Sequence, residues 1–255
     1  MSIQFENLPV YLLVFVRISA CFMFNPVFSR RNIPQMTRLA FIVWLSLIIA
    51  PNVNGSNLNT IDDLSFILLI FKEVLLGYFL GYVVQLYQFM LFFVGDLLDY
   101  QFGLSMAKVF DPQTHVQVSA IGNLFQILFV VLFFMSNSHL LFIQMISTSF
   151  DYLSLDQWFN LSKVVPLVLD LFIKVFMLVI KLALPMIVAA FILEISMGIL
   201  MKLIPQIHVF VINIQIKIML GIFLLMIMIN PISSILDKSL GQMAQDMQNL
   251  LMSMN

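Results

Sequence analysis

The chain has 255 residues, 62% hydrophobic and 10% charged, with a formal net charge of −1 and a mean hydropathy of +1.04. Soluble domains hold roughly 45–50% apolar and about 25% charged residues, so the composition excludes that class and points to an all-α, multi-helix, membrane-associated protein. The near-neutral charge gives no footprint for nucleic acid, and the lone Cys21 excludes an internal disulfide or a thiolate metal cluster.

The start, MSIQFENLPVYLL, lacks a basic n-region and a small-residue cleavage site, so the first apolar segment is expected in the mature fold. That segment, Leu8 to Phe24, is about long enough to span a thin bilayer. Arg17 in its middle cannot face lipid and needs a carboxylate or carbonyls in a bundle. Pro26 closes the segment, and Ser29 to Arg38 forms the densest basic cluster of the chain, a solvated loop that the positive-inside rule would put in the cytoplasm. Leu39 to Ala50 is apolar but short, nearer a re-entrant or buried helix than a full span. Asn52 to Ser65 reads as a turn region.

Phe66 to Val94 has the strongest helical pattern. Val74 to Val94 runs without a charge for about 31 Å of rise, and Gly77 and Gly81 form a G-x-x-x-G that admits a close second helix. Lys72 and Glu73 are adjacent, about 100° apart on a helix, so each is expected to find its own partner. Gly95 to Val118, GDLLDYQFGLSMAKVFDPQTHVQV, is the longest interval without a bilayer-length apolar helix. Asp96 to Val109 keeps helical spacing, and Asp111-Pro112 breaks it. Residues Gln113 to Val118 are polar and β-branched by turns: a plain connector, or a segment placed in a pore or cleft. Asp96, Asp99 and Asp111 read as acids of an ordinary solvated loop.

Ile121 to Phe150 is interrupted at Ser136-Asn137-Ser138-His139, which divides the run into two helices or marks an interface. Lys163, Asp170, Lys174 and Lys181 lie seven, four and seven residues apart, a stripe about 40° wide on one helix that lipid cannot cover. Pro185 is expected to kink this helix. Glu194 to Gln206 continues as a broken helix with Glu194 and Lys202, and Gln206, Asn213 and Lys217 share one face beyond Pro205. Asn230-Pro231 should end the last apolar segment. The tail over residues 232–255 carries Leu236, Leu240, Met243, Met247, Leu250, Leu251 and Met254 at helical spacing, an amphipathic helix. With no hydrophilic linker, residues 1–255 form one expected helical domain of kinked hairpins.

Such polar stripes fit two readings: a stand-alone secondary transporter with midplane charges, or a subunit whose charges pair within an assembly. No G-x-S-x-G, H-E-x-x-H, Walker-type or dinucleotide motif is present, so no enzyme is expected. His115, His139 and His208 lack ligands at metal spacing, so no metal and no cofactor is expected. The eighteen methionines serve as flexible core filling or line a deformable seal.

The ordered set Arg30-x3-Pro34-x3-Arg38, Glu73-x3-Gly77-x3-Gly81, Gly95-Asp96-x2-Asp99-x3-Gly103-x3-Ala107-x3-Asp111-Pro112 and Met197-Gly198-Ile199-Leu200-Met201-Lys202-Leu203-Ile204-Pro205-Gln206 resembles the FliR family along essentially the whole chain. That family supplies one subunit of the flagellar type III export gate, and injectisomes carry a related T-type subunit. The Asp111-Pro112 segment favours the flagellar branch. The resemblance implies a subunit at the flagellar basal body in the bacterial inner membrane, with P-type and Q-type subunits and the B-type switch protein as partners. Unfolded flagellar proteins would be its substrates. It implies that Phe110, Asp111, Pro112, Gln113, Thr114, His115, Val116, Gln117 and Val118, within the plug-like stretch 95–118, close the pore above methionines of neighbouring subunits. Arg17, Lys72, Glu73, Lys163, Asp170, Lys174, Lys181, Glu194, Lys202 and Lys217 are the charges expected between helices or subunits.

Overall fold

Long runs of Leu, Ile, Phe and Val, broken only by short Asn-, Ser- and Pro-containing stretches, favour long helices over strands. The computed structural model describes residues 8–30, 33–53, 62–105, 119–156, 158, 161–204 and 209–254, and no strand occurs among them. The helices are α1 (Leu8–Phe24), α2 (Gln35–Ile49), α3 (Asp63–Gln101), α4 (Ala120–Met135), α5 (Ser138–Tyr152), α6 (Leu161–Leu203) and α7 (Val209–Met254). A short 3-10 turn, Ala50–Asn52, extends α2.

Breaks follow local chemistry at some places and defy it at others. Between α4 and α5 the helix is interrupted at Ser136 and Asn137. Asn137 sits there in the left-handed region with φ 57°, a conformation that asparagine tolerates better than most residues. One expected break is absent: α7 runs on through Pro231, so residues 232–255 are the second half of a long helix rather than a separate one. α6 is likewise continuous across Pro185. A proline removes one backbone hydrogen bond, and the apolar helix around it supplies no competing partner for the freed carbonyl, so the helix continues. α3 likewise extends past Val94 and takes up Gly95 to Gln101 of the central stretch.

The chain divides into two compact units, residues 1–87, 137–171 and 240–255, and residues 88–136 and 172–239. In the first, Leu13, Val14, Ile18 and Phe22 of α1, Leu76 and Leu80 of α3, and Phe142 and Ile146 of α5 are buried with Met247, Leu250 and Leu251 of α7. In the second, Val94 and Leu98 of α3, Phe125, Phe129 and Phe133 of α4, and Val179, Met186 and Ala190 of α6 are buried. Much of the remaining apolar surface stays outside. α2 with its 3-10 turn, α3, α6 and α7 are long and apolar enough to cross a membrane, and the bent pair α4–α5 would make a fifth span. α1 is shorter.

Candidate functional site

In the first unit, the spacing Glu73, Gly77, Gly81 puts three residues on one face of α3, and α1 lies against that face. A Cβ on Gly77 would collide with the Arg17 carbonyl oxygen and come within 2.7 Å of Ala20 Cβ. One on Gly81 would come within 2.7 Å of the Cys21 carbonyl oxygen. Glycine is needed here for close approach. The approach brings Arg17, fully buried, one turn from Gly77 to Glu73, also fully buried. Arg17 Nε donates to Glu73 Oε2, and Nη2 donates to Oε1 at 3.1 Å, a bidentate pair. Lys72 reaches the same carboxylate, its Nζ 3.0 Å from Glu73 Oε1. Each of the adjacent pair has a partner of its own, as expected, but the two also meet, because the Lys72 stem is flexible and bends back across the helix surface whatever the angle between the Cβ positions.

Two cations and one carboxylate leave a positive excess, and the end of α5 meets it. Arg17 donates to the carbonyls of Ser149 at 2.9 Å and Leu153 at 3.0 Å, while Lys72 donates to those of Ser154 at 3.1 Å and Leu155 at 2.8 Å. The C-terminal end of a helix carries partial negative charge and unpaired carbonyls, which suits both cations. The Arg17 guanidinium also lies 4.0 Å from the centre of the Phe150 ring. The cluster therefore joins α1, α3 and α5.

In the second unit, the ends of the central stretch are held by side chains. Asp99 is fully buried on α3, so it is not the solvated loop acid expected from its neighbours. Its Oδ2 accepts from Ala120 N at 2.6 Å and its Oδ1 from Ile121 N at 3.1 Å. Ser119 caps the same helix end by accepting from Gly122 N at 2.8 Å. Gly95 permits the approach, since a Cβ there would strike the Gly122 backbone. On the other side, α3 stops at Gly103, whose φ is +76°, as glycine commonly allows. The buried Phe102 ring packs on Gly221 of α7, where a Cβ would stand 2.7 Å from it.

Phe110 to Val118 lies outside the described residues, as do His208 and Gln206. Of the stripe on α6, Lys163, Asp170, Lys174 and Lys181 are all exposed. Glu194 pairs with Lys217 of α7, and Lys202 is exposed. Asp99 was missed because its partners are backbone N–H groups 21 and 22 residues on, which leave no pattern of charges. The serine opening the next apolar run was the one signal in the sequence. Tyr87, donating to Asp246 Oδ2 at 2.7 Å, was missed for a similar reason.

Among the described residues, helices long and apolar enough to cross a membrane, buried charges paired between helices and a polar stripe exposed on α6 define a multi-helix membrane protein. The chain belongs to the bacterial export proteins, family 1, matching that family over residues 8–243. It is 30% identical over 246 residues to the flagellar biosynthetic protein FliR of Bacillus subtilis (strain 168), with 95% of each chain covered. It is 25% identical over 225 residues to the flagellar biosynthetic protein FliR of Escherichia coli (strain K12), covering 86% of this chain and 83% of the relative. On the injectisome side, it is 26% identical over 220 residues to the Yop proteins translocation protein T of Yersinia pestis, covering 85% of this chain and 84% of the relative. The transporter alternative has no support among these relatives.

Proposed function

We propose that this chain is the R-type subunit of the flagellar type III export apparatus. It is a structural and gating part rather than an enzyme, and it assembles with P-type and Q-type subunits and the B-type switch protein in the bacterial inner membrane. Beyond family membership, the observation that carries the subunit reading is the exposed stripe Lys163, Asp170, Lys174 and Lys181 on α6. Ionised side chains facing hydrocarbon cost several kcal/mol each, roughly 2.5–3.5 on insertion scales, so protein or water has to face them. In this reading the segment Phe110 to Val118 closes the pore through which unfolded flagellar subunits pass. Its polar residues Gln113, Thr114, His115 and Gln117 are tolerated because a channel offers them water and backbone.

Gentle-detergent purification with native mass spectrometry tests the assembly. One copy within a large complex of other hydrophobic subunits is the expected result, and a monomer or homodimer overturns it. Deleting residues 110–118 should leave that complex intact and make the membrane leaky to small solutes. Unchanged permeability would remove the pore-closing role.

A further inference from the structure

We propose that the face of α6 around Glu194 and Gly198 is a docking site for an apolar helix of a neighbouring subunit. That helix brings an arginine or lysine to Glu194 and sets a small residue against Gly198. The proposal rests on the reading of this chain as a subunit of an assembly, and adds which surface meets a neighbour and what the neighbour carries. The protein holds one filled example of the arrangement. In Glu73-x3-Gly77 on α3 the carboxylate lies one turn before the glycine. The bare glycine lets α1 come so close that a Cβ there would collide with it. That closeness brings Arg17 onto both oxygens of Glu73 and places Ala20, a small residue, at the contact. Lys72 takes the same carboxylate from the side.

The spacing recurs on α6 as Glu194-x3-Gly198, and there the place corresponding to α1 is open. A Cβ on Gly198 would meet nothing within 4 Å among the described residues. Lys217 of α7 takes the part of Lys72 by donating to Glu194 Oε1. The other oxygen, Oε2, has no partner among the described residues, and the Glu194 side chain is 40% exposed. Phe191 and Ile195, both exposed, share with Glu194 and Gly198 an arc of about 100° on the helix. An ionised oxygen in such an apolar face is costly against lipid. Against a cation carried by a second helix it is favourable, and the glycine lets that helix approach closely enough. One departure from the filled example narrows the partner further. Exposed Lys202 stands at the position that corresponds to Gly81, so close contact ends after one turn, and a second cation there would be repelled.

The test uses the full chain in the purified complex. With photoreactive benzoylphenylalanine in place of Ile195, irradiation and peptide sequencing by mass spectrometry locate what lies over the face. The expected adduct is on an apolar helix of another subunit, within about one turn of an arginine or lysine and a small residue. Adducts to lipid or detergent, to this chain, or to a segment without a cation overturn the proposal. Gly198→Leu should leave the thermal midpoint of the chain alone unchanged or higher, since leucine is the better helix former. It should cut recovery of the assembled complex about tenfold, equivalent to about 1.4 kcal/mol, with Gly198→Ala in between. Glu194→Gln should lower recovery by more than Lys217→Met, which removes only the chain's own cation. Wild-type recovery of Gly198→Leu overturns the docking face, as do equal losses from Glu194→Gln and Lys217→Met. A lowered midpoint for Gly198→Leu alone also overturns it, by placing position 198 in the chain's own packing. If the wild-type chain is itself recovered alone, the assembly reading falls and the docking face with it. If wild type and all four variants assemble equally well, the docking face falls and the assembly reading stands.

Discussion

Replacing Glu73 by Ala removes the carboxylate that bridges two cations, themselves at zero exposure. Arg17 keeps its bonds to Ser149 and Leu153, and Lys72 keeps those to Ser154 and Leu155, but each loses the buried carboxylate that faced it. Truncating one partner of a buried ion pair costs about 3–5 kcal/mol, a large share of a net stability of about 5–15 kcal/mol. The sole cysteine offers the assay. Cys21 is fully buried at the crossing of α1 and α3, and its backbone lies against Gly77 and Gly81. Its labelling by a thiol reagent under native conditions therefore reads how often that crossing opens. A cost of 3–5 kcal/mol raises the labelling rate between about a hundredfold and a few thousandfold. Glu73→Gln, which keeps an acceptor and loses the charge, should fall between wild type and Glu73→Ala. The apolar triple variant Arg17→Met, Lys72→Met, Glu73→Leu should not restore wild-type protection, because it strands the carbonyls of Leu153, Ser154 and Leu155. A Glu73→Ala labelling rate within about threefold of wild type, under about 0.7 kcal/mol, would refute the argument.

Gly95→Val should drive α4 off α3, since even a Cβ strikes the Gly122 backbone. A cost of about 1–3 kcal/mol or more should appear as a lower thermal midpoint of the detergent-purified chain. Tyr87→Phe should cost about 2 kcal/mol by breaking the bond to Asp246, read in the same melt. Lys217→Met should cost under about 1 kcal/mol, because the Lys217–Glu194 pair is partly exposed, at 16% and 40%. That small effect should shrink further in high salt.

The helices were legible because apolar runs of bilayer length have few alternative structures, and the turn at Asn137 was legible because four polar residues interrupt one such run. The need for a partner at Arg17 could be read from its place in an apolar helix. Which partner could not, since Glu73 is 56 residues away. Lys72 and Glu73 show the limit of arguing from helical angles: the angle constrains Cβ directions, not the tip of a long side chain. Pro231 shows a local rule overridden by an environment that offers the backbone no better alternative. Asp99 was read from composition as loop, whereas the deciding fact is tertiary, the arrival of α4 at the last turn of α3. The segment Phe110 to Val118, the centre of the functional reading, lies outside the described residues, and its role is inferred from likeness to the export family.

Outward-facing apolar side chains run along α6 from Val165 to Leu203. At 1.5 Å per residue that strip is about 57 Å long, while the acyl interior of a bilayer is about 30 Å thick. Fitting the whole strip inside would require a lean of roughly 58°, beyond the range of about 0–40° that membrane helices adopt. Between about a third and a half of it, roughly three to five turns, therefore stands where there is no oil. A newly made copy without neighbours presents that surface to water, as other half-made assemblies do. Its synthesis has to keep pace with that of the subunits that cover it, and in cells lacking them the chain should be cleared by proteolysis rather than accumulate.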